Sequence, residues 1–342
     1  MSYVNTMFNG KMTKNNSEFT NVVVLIPCYN EELSVVKVIS DFKRALPGAA
    51  ILVFDNGSTD KTTDLAKGAG AEVYNVPLQG KGNVIRRMFA DIDADIYVMV
   101  DGDATYDAQS APAMIERLKE QRLDMLVGAR CHHEKEAYRL GHSLGNKLLT
   151  GCVSKIFGGD FTDMLSGFRI FSRRYVKSFP ALSKGFETET ELTVHALELR
   201  MPYGEMPTPY GARLEGSTSK LNTYRDGLRI LKTIIKLYAV ERPLLFYFIL
   251  ALIVGGVGVM ISLPILSEYI ATGLVPRLPT ALLSTGMVLS SIIFFIAGLI
   301  LETVTMGRRE IKRLAYLAIP ALPRPTVSLL QSEVATHAND KN

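Results

Sequence analysis

The sequence predicts an α/β protein with a doubly wound, mostly parallel sheet, followed by an amphipathic interfacial helix and two transmembrane helices. Two observations support this prediction. Short β-rich segments alternate with amphipathic segments as far as about residue 210, and such alternation implies crossover connections between parallel strands. Two long apolar segments then follow in tandem, each long enough to cross a bilayer core of about 30 Å.

The predicted strands are short runs of β-branched and aromatic residues that Pro, Gly or Asp interrupts. They are Val22–Pro27, Ile51–Phe54, Glu72–Val76, Ile96–Val100, Met125–Val127, Phe168–Phe171 and Tyr203–Tyr210. The segments between them have the spacing of apolar residues that is typical of helices. These predicted helices are Glu32–Leu46, Thr59–Gly68, Lys81–Ile92, Ala111–Gln121, Tyr138–Phe157 and Glu189–Leu199.

The two apolar segments, Leu244–Leu266 and Ala281–Leu301, contain no charged residue. A core helix of a soluble protein is the alternative, but two runs of this length in tandem disfavour it. Basic residues flank the pair on its outer sides, while the only charged residues of the connecting loop are Arg277 and Glu268. The positive-inside rule therefore predicts that both outer ends face the cytosol. Small residues in the first segment, among them Gly255 and Gly258, suggest a homo-oligomer through the membrane.

The segment before the first apolar run, Lys220 to Arg242, alternates basic and apolar residues. This pattern is typical of a helix that lies on an anionic membrane leaflet, and the alternative is a helix packed on its own domain. The net charge of +4 is mild and forms no stripe of the kind that binds nucleic acid. Three cysteines without a C-x-x-C pair argue against disulfides and zinc, and they suit a reducing cytosol.

Acidic and amide residues follow three of the predicted strands. Asp101 and Asp103 flank Gly102 after one strand, Asp55 ends another, and Pro27–Glu31 ends the first. Open α/β sheets bind ligands at the carboxyl ends of their strands, so these residues should line one crevice. Two carboxylates at i and i+2 suit a hard divalent cation, although Asp-Gly-Asp could also be a plain turn.

Several other site types are excluded by the sequence. No G-x-G-x-x-G follows the first strand and no P-loop motif occurs, which argues against a dinucleotide dehydrogenase and a P-loop enzyme. The segment from Asp101 departs from a calcium loop, because Tyr106 and Pro112 stand where Gly and Glu are needed.

Eight short motifs follow one another along the chain: Val24–Glu32, Asp55–Asp60, Gly80–Asn83, Asp101–Asp103, Val127–Arg130, Asp163–Arg169, Gly185–Glu189 and Gly216–Lys220. In this order they resemble the family 2 glycosyltransferases, and in particular the polyprenyl-phosphate group that includes dolichol-phosphate mannosyltransferase and bactoprenol glucosyltransferases. The resemblance covers about residues 20 to 310 and implies a sheet of the glycosyltransferase-A type. The segment from Asp101 reads Asp-Gly-Asp-Ala-Thr-Tyr in place of the commoner Asp-Ala-Asp-Leu-Gln, a departure that leaves the metal-binding pair intact and does not identify the donor.

The resemblance also implies roles for individual residues. Asp101, Asp103 and Asp163 would be catalytic, with Asp101 and Asp103 binding Mg²⁺ or Mn²⁺ against the donor diphosphate. The nucleotide would be held by Pro27, Tyr29, Asn30, Glu31, Asp55, Lys81 and Asp101. The phosphate groups of the donor or of the lipid acceptor would be held by Arg130, Arg139, Arg213, Ser217 and Lys220.

The function implied is inverting transfer of a hexose from a nucleotide-diphospho-sugar to undecaprenyl or dolichyl phosphate at the cytosolic leaflet, with UDP-hexose favoured and GDP-mannose possible. The chemistry agrees, because a lipid phosphate has a second pKa of about 6 and attacks without a strong general base. A processive polysaccharide synthase is an alternative that the absence of tryptophan disfavours. A non-catalytic nucleotide-sugar-binding scaffold is the other alternative.

The expected organisation follows from these segments. A disordered tail without a signal peptide (1–20) would precede a cytosolic catalytic domain (21–219) and the basic helix (220–243). A transmembrane hairpin (244–301) and a cytosolic basic segment (302–342) would complete an integral protein of a prokaryotic plasma membrane.

Overall fold

The computed structural model describes residues 20–132, 150–151, 153–154, 158–159, 161–181, 188–214 and 223–322. Three predicted site residues, Arg139, Ser217 and Lys220, lie outside the described residues. The same holds for the predicted tail before Thr20 and for most of the predicted helix Tyr138–Phe157.

The sheet has seven strands in the order β3-β2-β1-β4-β6-β5-β7. The strands are β1 (Val22–Cys28), β2 (Ala50–Asp55), β3 (Glu72–Asn75), β4 (Ile96–Met99), β5 (Met125–His132), β6 (Arg169–Ser172) and β7 (Tyr203–Tyr210). Neighbouring strands are parallel except around β6, which runs antiparallel to both β4 and β5. The predicted mostly parallel sheet is confirmed.

Helices cover both faces of this sheet. They are α1 (Val35–Ala45), α2 (Thr62–Gly68), α3 (Lys81–Asp91), α4 (Ser110–Glu120), α5 (Arg173–Ser178) and α6 (Thr188–Glu198). Buried residues of α1 and α4 form one apolar cluster with alternate strand residues such as Val24 and Ile26. Residues of α3, α5 and α6 form the other cluster with Val23 and Leu25. The doubly wound arrangement follows from burial of the strands on both faces.

One strand differs from its prediction. β5 continues past Val127 to His132, because residues 128–132 pair in parallel with residues 206–210 of β7. Gly128 lies close to Phe168 and Thr208, and a Cβ at Gly128 would be 3.0 Å from the Phe168 ring. The extension carries Arg130 to the same end of the sheet as Asp101, beside Tyr210.

Three helices follow the sheet: α7 (Thr223–Glu241), α8 (Pro243–Thr272) and α9 (Leu278–Leu317). By length and composition, α8 and α9 could each cross a membrane. Both are longer than the predicted apolar segments, and α9 continues through a charged region beyond Leu301. Hydroxyl groups join the pair, since Ser284 Oγ donates to the carbonyl of Gly258 and Ser291 Oγ to that of Ala251, both at 2.8 Å.

The small residues of α8 pack inside this hairpin. A Cβ at Gly255 would approach Ser291 Oγ, and a Cβ at Gly258 would be 3.0 Å from Met287 of α9. Small residues allow close approach of two transmembrane helices. Gly255 and Gly258, which suggested contact between copies, are therefore used within one chain.

We predict that His195 makes the stability of the fold sensitive to acid. It is buried in α6 beside Tyr175 and Phe179, with Nε2 3.3 Å from Ser178 Oγ. Burial, aided by the nearby Lys312 ammonium, lowers the pKa of His195 to about 3. Between this value and about 6.5 the unfolded chain binds a proton that the folded chain does not, so stability falls as pH falls through that window.

We therefore expect the thermal midpoint to drop less on acidification in His195→Gln than in the wild type. The difference at pH 5 should correspond to about 2 kcal/mol. Thermal unfolding of the purified protein in detergent at pH 7.5 and pH 5 measures it. Equal drops in the two proteins would contradict this role of His195.

Candidate active site

The carboxyl ends of β1, β2 and β4 meet at one edge of the sheet, because these strands are adjacent and parallel. Asp55 is the last residue of β2 and pairs in register with Cys28 at the end of β1. Asp101 and Asp103 follow β4 at the same edge. The predicted crevice of strand ends is thus present, and the sequence places carboxylates on two of its three sides.

The loops after β1 and β2 are joined by reciprocal hydrogen bonds. The backbone N–H of Asn30 donates to Ser58 Oγ, and the N–H of Thr59 donates back to Asn30 Oδ1, both at 2.8 Å. One step further, the N–H of Lys61 donates to Glu32 Oε2 at 3.1 Å. Asn30 adopts a positive φ of 52°, which Asn tolerates better than most residues. Tyr29 and Glu31 flank Asn30 in the same joined rim.

The two carboxylate oxygens of Asp55 differ: backbone N–H groups bind one, and the other has no donor among the described residues. Oδ2 accepts from the N–H groups of Gly57 and Ser58, both at 3.1 Å. Oδ1 is buried and has no hydrogen-bond partner among the described residues. A buried oxygen without a donor carries a desolvation penalty of about 1–3 kcal/mol, which a ligand N–H or O–H would relieve. Asp55 is therefore suited to hold a polar ligand at the end of β2.

Lys81, the first residue of α3, lies between two carboxylates. Its Nζ is 2.6 Å from Asp101 Oδ1 and 2.5 Å from Glu189 Oε1 at the start of α6. Burial alone would lower the pKa of Lys81, but these two carboxylates outweigh it and raise the pKa above the usual lysine value. Lys81 therefore stays charged. Glu189 Oε2 is buried without a hydrogen-bond partner in the described part of the chain.

Asp103 is held by a second cation. Its Oδ2 is 2.6 Å from the Arg213 guanidinium, and its Oδ1 accepts from the N–H and hydroxyl of Thr105 at 3.2 and 2.6 Å. Arg213 comes just after β7, so this ion pair ties the end of β7 to the turn after β4. Each carboxylate of the Asp101–Asp103 turn thus has a basic residue within hydrogen-bond distance.

Asp101 and Asp103 fit a divalent cation that also binds a phosphate group. Mg²⁺ is commonly held by one or two carboxylates together with substrate phosphates, rather than by a protein cage. In the described ranges no group of three or more His, Cys, Asp or Glu residues could hold a metal. Gly167 leaves room beside Asp101, because a Cβ there would overlap the Asp101 carboxylate. A cation at this turn would need oxygen ligands from a bound molecule.

Arg130 and Asp163 form a bidentate ion pair. Arg130 Nε and Nη2 each lie 2.7 Å from an Asp163 carboxylate oxygen, and the Arg130 backbone N–H also donates to Asp163. Burial opposes the charge, but the hydrogen bonds that Arg130 donates to Asp163 raise the pKa of Arg130 above its usual value. The guanidinium lies 5.5 Å from the centre of the Tyr210 ring. Arg130, expected to hold a phosphate group, is thus engaged with Asp163.

Arg169 positions the loop that carries Asp163 and Gly167, and sequence reasoning gave it no role. It is fully buried, and its guanidinium donates to the carbonyls of Ser166 and Met164 and to Thr193 Oγ1 of α6. In the sequence, Arg169 stands out only as a charged residue within the apolar run of a predicted strand, a place where charged residues are rare. Arg169 joins this loop to the helix whose first turn carries Glu189.

Tyr106 is a further site residue to which sequence reasoning gave no role. The backbone N–H of Gly167 donates to its hydroxyl at 2.8 Å. Burial raises the pKa of Tyr106, so the hydroxyl stays protonated. Its ring packs edge-on against Tyr210, with the ring centres 5.0 Å apart. Tyr106 thus connects the loop beside Asp101 to the Arg130–Asp163 pair.

Comparison with known proteins identifies relatives over most of the chain. The family described as Glycosyl transferase family 2 matches residues 23–179. Glycosyltransferase AglJ of Haloferax volcanii is 31% identical over 299 residues, covering 86% of this chain and 98% of AglJ. A dolichyl-phosphate hexose transferase of the same organism is 26% identical over 224 residues, covering 66% of this chain and 96% of that protein.

Solved structures share the fold of the N-terminal part. Glucosyl-3-phosphoglycerate synthase from Mycobacterium tuberculosis, in complex with Mn²⁺, UDP-glucose and phosphoglyceric acid, superposes with a TM-score of 0.54 at 21% identity. The superposition covers 65% of this chain and 80% of the synthase. At 21% identity, this likeness shows the fold alone.

Proposed function

The chain belongs to glycosyl transferase family 2 and has a sheet of the glycosyltransferase-A type, and from this premise we propose that it transfers a hexose from a nucleotide-diphospho-sugar to a polyprenyl phosphate. The transfer takes place at the cytosolic leaflet with inversion at the anomeric carbon. The organisation into a catalytic domain (21–219), an interfacial helix (220–243), a transmembrane hairpin (244–301) and a cytosolic C-terminal segment (302–342) is part of the proposal.

The donor side of the proposal is supported by the joined rim and by Asp55. The nucleotide lies between the loops after β1 and β2, where Pro27, Tyr29, Asn30 and Glu31 line one side. The available oxygen of Asp55 accepts a hydrogen bond from the base. UDP-hexose is the favoured donor, in keeping with the UDP-glucose bound by the M. tuberculosis synthase, and GDP-mannose is the alternative.

Asp101 and Asp103 would hold Mg²⁺ or Mn²⁺ together with the donor diphosphate. When bound, it supplies positive charge that neutralises the leaving nucleoside diphosphate. Lys81 and Arg213 already lie within 2.6 Å of these carboxylates, so cationic side chains remain beside the diphosphate as its charge develops. Asp163 orients Arg130 from the neighbouring loop.

The acceptor side is supported chiefly by one observation: Arg213 pairs with the Asp101–Asp103 turn in a chain that continues into two membrane-length apolar helices. A phosphate monoester on a lipid is largely ionised at neutral pH, with a second pKa of about 6. Its oxygen forms the new bond to the anomeric carbon while the bond to the nucleoside diphosphate breaks. No proton has to be removed from the nucleophile, so cations matter more than a general base.

Transfer of radiolabel from a panel of UDP- and GDP-hexoses to undecaprenyl phosphate tests the proposal. The assay uses the full chain in detergent or vesicles, with Mg²⁺ or Mn²⁺ and with EDTA. We expect a chloroform-extractable, EDTA-sensitive product from one donor. If the folded protein binds a nucleotide sugar and yields no lipid product from any donor, the acceptor assignment is wrong and a scaffold role gains support.

Substituting Gly167 by Ala should displace Asp101. An added Cβ would overlap the Asp101 carboxylate, which would have to move away from its position beside Lys81. Because small displacements of a positioned group have large effects on rate, we expect transfer to fall roughly 10²-fold. Initial rates of lipid-linked product formation measure this fall.

Gly48→Ala is the matched control for Gly167→Ala. Nothing lies within 4 Å of a Cβ built at Gly48, which is not among the glycines with positive φ, so the rate should stay within twofold of the wild type. A Gly167→Ala variant as active as Gly48→Ala would show that the Asp101 carboxylate tolerates displacement.

A further inference from the structure

Helix α9 continues well beyond the part that could lie in a membrane. It has 40 residues and is therefore about 60 Å long, twice the thickness of a bilayer core of about 30 Å. Its apolar segment ends at Leu301, and basic residues follow on the C-terminal side. We call residues 305–317 the docking extension, because they contact the sheet domain at two places and the end of α7 at a third.

The first contact buries Tyr316 against the start of β5. Only 4% of Tyr316 is exposed, and its hydroxyl donates to Asp124 Oδ2 at 2.6 Å. Asp124 is itself buried and also accepts from Ser172 Oγ and Arg174 Nε, at 2.6 and 2.5 Å. The guanidinium groups of Arg174 and Arg313 lie 4.7 and 4.9 Å from the centre of the Tyr316 ring. A tyrosine hydroxyl bonded to a buried carboxylate is a specific, desolvated contact.

The second contact joins the docking extension to α6. Lys312 Nζ lies 2.7 Å from Glu198 Oε2, at the C-terminal end of α6, and Arg313 donates to the carbonyl of Leu199 at 2.8 Å. The first turn of α6 carries Glu189, which is paired with Lys81 in the site. The helix has 11 residues and is about 16 Å long, so one rigid element links the docking extension to the crevice.

The third contact joins the docking extension to the end of α7, directly before α8. Thr305 Oγ1 donates to the carbonyl of Val240 at 3.0 Å, and the Arg308 guanidinium is 2.8 Å from Glu241 Oε1. Glu241 is the last residue of α7, and α8 begins two residues later at Pro243. The point where the chain enters the apolar hairpin is therefore fixed to the same helix that contacts the sheet domain.

We propose that the docking extension fixes the height and orientation of the crevice above the membrane, and that Tyr316 is a positioning residue for use of a membrane-embedded acceptor. This inference rests on the proposed function. A domain joined to the hairpin only through α7 would sample many distances from the bilayer. The three contacts hold the sheet domain in one position relative to the hairpin. The phosphate of a lipid at the membrane surface therefore lies close to Arg213 and Asp103.

The test compares Tyr316→Ala with Leu314→Ala, a substitution at an exposed residue of the same helical turn. Each full-length variant is assayed with undecaprenyl phosphate in vesicles and with a short, water-soluble prenyl phosphate, and its Kd for UDP is measured. We expect Tyr316→Ala to raise the KM for the vesicle-bound acceptor about tenfold. The Kd for UDP and the KM for the soluble acceptor should stay within twofold of the wild type, as should all values for Leu314→Ala.

Two further measurements keep the outcome independent of folding defects. Tyr316→Phe retains the ring between the two guanidinium groups and loses only the hydrogen bond to Asp124, so its KM should lie between those of the wild type and Tyr316→Ala. Hydrogen exchange in the wild type should show residues 305–317 protected, and Tyr316→Ala should remove this protection while β1 and β4 keep theirs.

These experiments distinguish failure of the proposed function from failure of the positioning role. A wild-type protein that transfers sugar to neither acceptor contradicts the proposed function and the positioning role with it. Normal wild-type transfer, combined with an equal loss for both acceptors in Tyr316→Ala, contradicts the positioning role alone. Rapid exchange of residues 305–317 in the wild type overturns the docking itself.

Discussion

Asp103→Asn should reduce the rate of sugar transfer roughly 10³-fold, because it removes a carboxylate proposed to bind the metal and the partner of Arg213 together. Asparagine keeps the size of the side chain and an oxygen that accepts from Thr105. The ion pair of 2.6 Å with Arg213 loses its charge, and a cation at the turn loses one of its two carboxylate ligands. Initial rates over a range of Mg²⁺ and Mn²⁺ concentrations measure both the loss and any shift in metal requirement.

Asp93→Asn is the matched control. Asp93 is the middle aspartate of the sequence Asp-Ile-Asp-Ala-Asp (91–95), which comes before β4 rather than after it, and Asp93 forms an exposed ion pair with Arg173. Its substitution should leave transfer within twofold of the wild type. Near-normal activity in Asp103→Asn would remove Asp103 as a metal ligand, and equal losses in both variants would point to a general effect of charge.

Arg169→Met is expected to lower the free energy of unfolding by about 3–5 kcal/mol, because several buried acceptors lose their donor at once. The carbonyls of Ser166 and Met164 and the hydroxyl of Thr193 all accept from this guanidinium. Burial lowers the pKa of Arg169, and methionine would avoid the cost of burying a charge. The oxygen acceptors that remain are neutral and fixed in place. The cost of leaving them without a donor therefore exceeds what is gained by removing the buried charge.

Thermal or denaturant unfolding in detergent measures the loss, with Arg173→Met as the control. Arg173 lies four residues further along at the start of α5, and its contact with Asp93 is exposed to solvent. Exposed ion pairs contribute little to stability, so the control should unfold like the wild type. If Arg169→Met unfolds like Arg173→Met, the loop around Gly167 does not depend on the buried guanidinium.

Much of the sheet could be predicted, because strand residues buried on both faces give short apolar runs that local sequence reveals. Strands β1 to β4 and helices α1 to α4 lie within a few residues of their predicted bounds. The end of β5 was missed because residues 128–132 are stabilised as a strand by pairing with β7, more than seventy residues away. The antiparallel direction of β6 likewise depends on its neighbours.

The site was predictable where it depends on strand ends and not where it depends on pairing between distant side chains. Asp55, Asp101 and Asp103 follow from the rule that ligands bind at the carboxyl ends of parallel strands. The partner of Lys81 on α6, Glu189, comes more than one hundred residues later in the chain, and no local pattern links the two. Tyr316 and Asp124 are 192 residues apart, so their contact is equally invisible to local reasoning.

The reciprocal bonds between the loops after β1 and β2 have a thermodynamic consequence for the donor. Fixing the backbone of one residue costs about 1–2 kcal/mol of conformational entropy, and a flexible loop would bear this cost when the nucleotide arrives. Here the bonds that order the rim join Asn30 to Ser58 and Thr59 of the same chain, so they form when the chain folds. The ordering of this rim is therefore part of folding, and for a nucleotide bound at this proposed site a larger share of the contact energy would remain as affinity.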